Sequence, residues 1–448
     1  MFPVLAVNAL VVWSLLAVGS VYAWGAIPVA LASAVIALWT RPRFGGSTAP
    51  RWLDGALLAL LAATALQLLP LPRPLLSRLS PSVGSFDAVY RLGVPADGPR
   101  ALALDPPVTA YTLIIVAGIV ALFWSCRRLF VTGGVRRCVR TISWLGFAVS
   151  IGAVVQRATA PGYVYGFWQP LDPGASPIGP VVNANQLAAW LLLALPLSIG
   201  YLVAHLETHR SDRLSRNWQS RVRQVIDVRS LFLAASSLLM ALVILFSGSR
   251  SAMTGLLIAG LFGWLVGSGR TGPDSRRTIA ALALVLGVAA IAWLNLDALA
   301  DRFNRLDAGI ASRTMIWRDT LSVAGQYWLT GVGLGGYQAA MTVYQAATRE
   351  VFYNHAHSQY LQLLAEGGLL LTLPAVVAIA ALVIGARARL AADRSAIWSI
   401  RVGAASGLVA VAVQSVWETV LRMPANGVLM AVAAAILLHP PPGDDSQG

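Results

Sequence analysis

The sequence predicts an all-α protein, a polytopic transmembrane helical bundle of about 12 spans, with a small helical subdomain outside the membrane between spans nine and ten. Three observations carry that expectation. The 448 residues are 57% hydrophobic and 12% charged, with a mean hydropathy of +0.68, too apolar for a soluble domain of this size. The apolar residues come in runs long enough to cross a bilayer, and the arginines cluster between alternate runs.

Taken in order, windows of roughly 17 to 25 apolar residues lie near residues 3–18, 26–39, 54–71, 108–126, 142–156, 182–204, 231–246, 252–266, 279–294, 358–384, 403–421 and 427–438. The first run lacks the charged leader and small-residue cleavage site of a removable signal peptide, and reads as a retained span. All 33 basic residues are arginine, and the pI near 10.7 first invites a nucleic-acid reading. With both termini cytoplasmic, however, 21 of those arginines, from Arg41 to Arg401, fall in loops of that one side. This positive-inside bias makes most of the net charge of +14 topological, and no nucleic-acid partner is expected. Cys126 and Cys138 lie at the cytoplasmic edge, where a disulfide would not persist. Trp24, Trp52, Trp190 and Trp417, near span ends, suit interfacial belts.

Chemistry is expected on the opposite side, in residues 72–107, 157–181, 248–250 and 297–357. The last segment is too long for a plain connector, which divides the chain into spans one to nine (1–296), a subdomain (297–357), and spans ten to twelve with a tail (358–448). Within the subdomain, AGIASRTMIWRDTLSVA reads as an amphipathic helix capped by Ser312, with Arg313 and Trp317 one turn apart on one face. GVGLGGY, residues 331–337, then reads as a plain turn or a phosphate cradle. Ahead of the sixth span, PGYVYGFWQPLDPGASPIGPVVNANQ sets Tyr163, Tyr165, Phe167 and Trp168 beside Asn183 and Asn185. Aromatic faces beside amides suit sugar rings, and also suit a membrane interface.

FSGSRSAM puts Arg250 at the outer ends of spans seven and eight, against the charge bias, where it either snorkels to lipid phosphates or holds an anionic substrate. YNHAHSQYLQLLAEGGL sets His355 and His357 just before span ten, in a chain with five histidines. The positive end of the following helix favours neutral imidazole at His357, which can then serve as a base. His355 and His357 have no third ligand at a recognisable spacing, so no metal is expected. Two guanidinium groups, Arg250 and Arg313, would grip a diphosphate and stabilise its charge as it leaves, while one histidine activates a hydroxyl. A positioned base of that kind is worth about 10²- to 10⁴-fold. Arg318 is a candidate for further phosphates, and Glu366, just over two turns after His357, either orients a polar partner or lines the bundle. Glu418 is the clearest acid inside a span, and Asn426 reads as a helix cap. A membrane transporter, the alternative from another class, would need intramembrane charges and paired broken spans that the sequence does not offer.

The segments PVVNANQLAAWLLLALP, LFSGSRSAM, SRTMIWRDTL…LTGVGLGGY, NHAHSQYLQLLAEGGLL and SVWETVLRMPANGVLMA occur in the order seen in the O-antigen ligase and O-antigen polymerase superfamily of bacterial inner-membrane enzymes. ALALDPPVTAYTLI resembles that family's approach to its fourth span, so the resemblance covers roughly residues 101–438. It implies a multi-pass inner-membrane glycosyltransferase with its active site facing the periplasm, moving a glycan from an undecaprenyl-diphosphate carrier to an acceptor hydroxyl. No nucleotide sugar, cofactor or metal is implied. The family's essential arginines fall on Arg250 and Arg313 and its essential histidine on His357, with Ser358 standing where many relatives carry Asn. Arg318, Asn183, Asn185, Trp168, His355 and Glu366 are then expected around the substrate. Chain length and one late external loop favour lipid A-core as the acceptor. An O-antigen polymerase or a protein O-oligosaccharyl ligase of the same superfamily is the alternative.

Overall fold

The computed structural model describes residues 2–42, 51–90, 98–170, 175–208, 227–270, 313–346 and 352–440. The chain is all-α. Its helices are α1 (Phe2–Leu16), α2 (Ala23–Thr40), α3 (Arg51–Gln67), α4 (Arg73–Leu79), α5 (Ser82–Tyr90), α6 (Pro106–Val131), α7 (Val135–Thr159), α8 (Ala184–Thr208), α9 (Val228–Phe246), α10 (Arg250–Gly267), α11 (313–326), α12 (Tyr337–Tyr344), α13 (Gln359–Ala392), α14 (Trp398–Gln414) and α15 (Pro424–Leu438). Every span expected within the described residues coincides with a helix; the span expected at 279–294 and the Ser312 cap lie outside them. Among the described residues seven helices, α2, α6 to α10 and α13, are long and apolar enough to cross a membrane, and α1, α14 and α15 are shorter apolar helices.

One expected span ends early. Residues 403–421 were read as continuous, but α14 stops at Gln414 and residues 415–423 form a link with a single 3₁₀ turn, Val420–Arg422. Pro424 opens α15, where its missing N–H costs nothing, and its ring disfavours helical backbone at Met423. The start of α13 satisfies the link: Gln359 N–H donates to Ser415 O (2.9 Å) and Gln359 Oε1 accepts from Leu421 N (3.1 Å). Asn426 is not the cap. It lies inside α15 and donates to Val420 O (2.9 Å) and Gln186 O (3.2 Å), tying the link to α8.

The middle of the bundle is α8, packed by α7, α9, α14 and α15. Trp190, read as interfacial, is instead fully buried there, because α8 is surrounded by protein rather than lipid. Glycines let α8 and α14 touch backbone to backbone: a Cβ on Gly403 would stand 2.2 Å from Pro196 O, and one on Gly200 2.4 Å from Ser399 O. At the arginine-rich end the buried charges are paired. Asp54 accepts both Nη atoms of Arg127 at 2.8 Å and the Trp124 indole at 2.9 Å. Arg401 pairs with Asp393 and donates to Ile436 O and Leu437 O, closing the last turn of α15. Cys126 and Cys138 are buried free thiols.

A second, smaller core sits at the other end. It draws Leu76, Val83 and Phe86 from α4 and α5, Leu102 and Leu104, and Val323, Tyr327, Val332 and Tyr337 from the 313–344 segment. This subdomain is welded to α13 at a break. At Gly368 the backbone turns to φ 53°, ψ −154°, and the exposed backbone groups bond across to residues 328–333. Leu369 N and Leu370 N donate to Trp328 O (2.8 Å) and Leu329 O (3.0 Å), while Val332 N and Gly333 N donate to Ala365 O and Glu366 O (both 3.0 Å). Gln67, at the end of α3, donates to Thr330 O (2.7 Å) and Glu366 O (2.9 Å) and accepts from Leu334 N (3.0 Å). The GVGLGGY turn therefore has its N–H groups engaged within the protein and is no cradle for a bound phosphate.

Gly331 tests this junction: its φ is 66°, and a Cβ there would meet Glu366 O at 2.2 Å. Gly331→Ala is expected to destabilise the protein by more than about 1 kcal/mol, read as a lowered melting temperature in detergent. Gly325→Ala, in α11 with open space around it, should leave that temperature unchanged or raised.

Candidate active site

Four segments converge where the smaller core meets the bundle: the start of α8, the start of α11, the loop 352–358 before α13, and the link 415–423. Their common point is the Glu418 carboxylate. Its Oε1 accepts from Arg313 Nη2 and from Asn185 Nδ2, both at 2.9 Å, and its Oε2 lies 3.8 Å from His357 Nδ1. Glu418 is buried, so this carboxylate acts at low dielectric, where a fixed charge is felt strongly.

The histidine loop is held from both sides. Trp317, one turn after Arg313 on the same face of α11, donates its indole N–H to Ala356 O at 3.1 Å. On the other side Gln362 Oε1 accepts from Ala356 N at 2.7 Å, and Ala356 is fully buried. His357 then takes left-handed backbone, φ 48°, a conformation that costs a non-glycine residue free energy and persists only where its surroundings impose it. Ser358 caps α13 with its hydroxyl, accepting from Leu361 N. His357 Nδ1 is buried and makes no hydrogen bond, and at 3.8 Å Glu418 is just outside hydrogen-bonding reach.

His355 lies against His357, ring centroids 4.0 Å apart. Arg422 Nη1 sits 2.8 Å from His355 Nδ1 and 3.2 Å from Asn354 Oδ1. A guanidinium can only donate, so the Arg422 contact is one made with a neutral His355 ring, whose Nδ1 also lies against Asn354 Oδ1. Burial first, then His357 and the Arg422 charge, hold the His355 pKa down to about 2. Beside Glu418 opens a cavity of ≈190 Å³ lined by Asn183, Asn185, Gln186, His355, Glu418 and Arg422, with Tyr22 as its aromatic wall.

The structure thus gathers Arg313, His357, His355, Asn183 and Asn185 about one carboxylate and its cavity. Asn183 Oδ1 accepts from Asn185 N (2.9 Å), fixing the turn that aims Asn185 at Glu418. Trp168 stands behind the cavity, edge-on to Tyr22 at 5.6 Å, whereas Phe167 points outward, 78% exposed. Arg250 is exposed on a separate element, the first residue of α10, at the same end of the bundle. Arg318 is exposed and, five residues beyond Arg313, lies about 140° around the helix from it. Glu366 is buried and accepts from Gln362 Nε2 at 2.7 Å; it does not line the cavity. Among the described residues no group of three or more His, Cys, Asp or Glu side chains could hold a metal ion. Two site residues escaped the sequence reading, Glu418 and Arg422. Both sit in SVWETVLRMPAN, and reading a span through to residue 421 disguised the link; Pro424 after a cluster of polar residues was the available signal.

An all-α bundle with seven described helices long and apolar enough to cross a membrane is a polytopic helical membrane protein. Residues 235–376 match the family model described as O-antigen ligase, so this part of the chain is similar to O-antigen ligases. The matched segment contains Arg250, Arg313, His355, His357 and Glu366; Asn185, Glu418 and Arg422 lie outside it and are brought to it by folding. A search of curated proteins finds no match to the chain.

Two outcomes follow from this geometry. Trp317→Phe keeps the ring but removes the donor to Ala356, a bond worth about 0.5 to 1.5 kcal/mol, and should lower transfer activity by up to about tenfold with little change in substrate KM. For His355, the unfolded chain takes up a proton below about pH 6.5 that the folded site refuses until about 2. Its contribution to stability is therefore complete above about pH 6.5 and declines as pH falls below it. The melting temperature should drop between about pH 7 and 5, and His355→Asn should flatten that slope.

Proposed function

We propose that the protein is an O-antigen ligase, transferring a glycan from undecaprenyl diphosphate to a sugar hydroxyl of lipid A-core at the periplasmic face of the bacterial inner membrane, with inversion and without metal or cofactor. The observation that carries this reading is the placement of Arg313 and His357 on the two oxygens of one buried carboxylate, Glu418. An anion-binding arginine and a base are thereby held at a fixed separation, which is what displacement of a diphosphate by a hydroxyl requires.

In the resting site Glu418 is the counter-ion of Arg313. A diphosphate gripped bidentately by Arg250 and Arg313 competes for that guanidinium, and Glu418, released, closes the remaining gap to His357 Nδ1. The Nδ1–H then donates to the carboxylate, which fixes the tautomer and leaves the Nε2 lone pair as base. Nε2 takes the acceptor hydroxyl proton as that oxygen bonds to the anomeric carbon. The bond from that carbon to the diphosphate breaks, and the leaving charge stays on the arginines. A single in-line displacement inverts the anomeric centre. Asn183, Asn185 and His355 line the cavity beside this point and supply hydrogen bonds to a sugar, with Trp168 supporting Tyr22 behind it.

The test is transfer in vitro by purified protein, with undecaprenyl-diphosphate glycan, lipid A-core and EDTA present. Wild type should give product, folded His357→Ala none, and Glu418→Gln a rate lowered by part of the about 10²- to 10⁴-fold that a positioned base contributes. Chain growth from the donor alone would make the protein a polymerase, and transfer to a serine or threonine peptide a protein ligase. Undiminished transfer by His357→Ala would remove the base assignment.

A further inference from the structure

Glu366 and Gln362 are buried polar residues that the reaction above does not use. They lie one turn apart on the first turns of α13, and the Gln362 amide joins two partners: Nε2 donates to Glu366 Oε1 at 2.7 Å, and Oε1 accepts from Ala356 N at 2.7 Å. The Glu366 carboxylate is itself fixed by the backbone N–H groups of Gly335 and Tyr337. The glycine turn thus faces the protein's own Glu366 carboxyl group. The chain of contacts runs from that turn through Glu366 and Gln362 to the amide of Ala356, the residue between the two imidazoles.

We propose that Gln362 is a positioning residue for His357, oriented by Glu366. An amide side chain can be rotated end for end at almost no cost in shape, so its hydrogen-bonding direction must be imposed from outside. A carboxylate can only accept, which obliges Gln362 to present Nε2 to Glu366 and leaves Oε1 for Ala356. With Ala356 N so held, and Ala356 O held by Trp317, the peptides on both sides of Ala356 are fixed and His357 is kept in its left-handed conformation. Imidazole placement by a few tenths of an ångström matters here, because His357 Nδ1 stands just outside hydrogen-bonding reach of Glu418.

This inference rests on His357 being the base, and the experiment separates the two. Steady-state transfer is measured for Gln362→Met, which keeps volume and loses both hydrogen bonds, for the exchange Gln362→Glu with Glu366→Gln, and for His357→Ala. In the exchange every bond has a partner: the new carboxylate at 362 accepts from Ala356 N, and the new amide at 366 donates to it while accepting from Gly335 and Tyr337. The expected result is a kcat lowered about 10- to 100-fold in Gln362→Met with donor and acceptor KM within about twofold, and recovery of most of that loss in the exchange. A wild-type kcat in Gln362→Met overturns the proposal. So does a folded exchange variant, judged by its melting temperature, that recovers nothing. Activity in His357→Ala would instead sink the base assignment, whatever the Gln362 variants do.

Discussion

The break in α13 is the constraint on which the rest of the site depends. A helix interrupted inside an apolar bundle exposes backbone N–H and C=O groups that have no water to bond, each at a cost of several kcal/mol by the usual transfer scales. Here the interruption at Gly368 is met group for group by residues 328–333, with Gln67 completing the set from α3. Because the partners of those groups are backbone atoms, the subdomain cannot slide along α13 without losing several bonds together. Arg313 on α11 and His357 ahead of α13 are thereby held in register, although they come from different segments of the chain.

On this frame the site is organised by one buried negative charge. Glu418 gathers an arginine, an amide and a histidine, and burying such a charge is tolerable only because those partners face it. Arg313 and Glu418 form a pair that is well matched yet open to exchange, since the guanidinium is more exposed than the carboxylate, 36% against 8%. The neighbouring His355, kept neutral by burial and by two cationic or imidazole neighbours, adds no competing positive charge beside Arg422. Charge at this point is thus carried by Arg313, Arg422 and Glu418, while His355 stays neutral.

Both ends of the bundle carry buried ionic groups, but they do different work. At the arginine-rich end, Asp54 with Arg127 and Asp393 with Arg401 are closed pairs with their hydrogen bonds directed inward, and Arg401 completes a helix terminus. At the other end the charges border a cavity. The distinction is one of access rather than of residue type.

The apolar spans within the described residues, and their order, were legible in the sequence, because crossing a bilayer demands long apolar runs whatever their partners are. So were the motifs carrying Arg313 and His357, since a polar residue beside such a run stands out, and the i, i+4 pairing of Arg313 with Trp317 follows from helix geometry alone. Composition could not say which helix is central: Trp190 looks the same facing lipid or facing α14, and only packing decided that it is buried. Nor could local sequence reveal Glu418, whose role depends on Asn185, 233 residues away, and Arg313, 105 residues away. The glycine turn shows the same division. Its residues read as a plain turn or a phosphate cradle, but what its N–H groups face was set by the fold, because hydrogen bonds across segments have no signature in the order of residues along the chain.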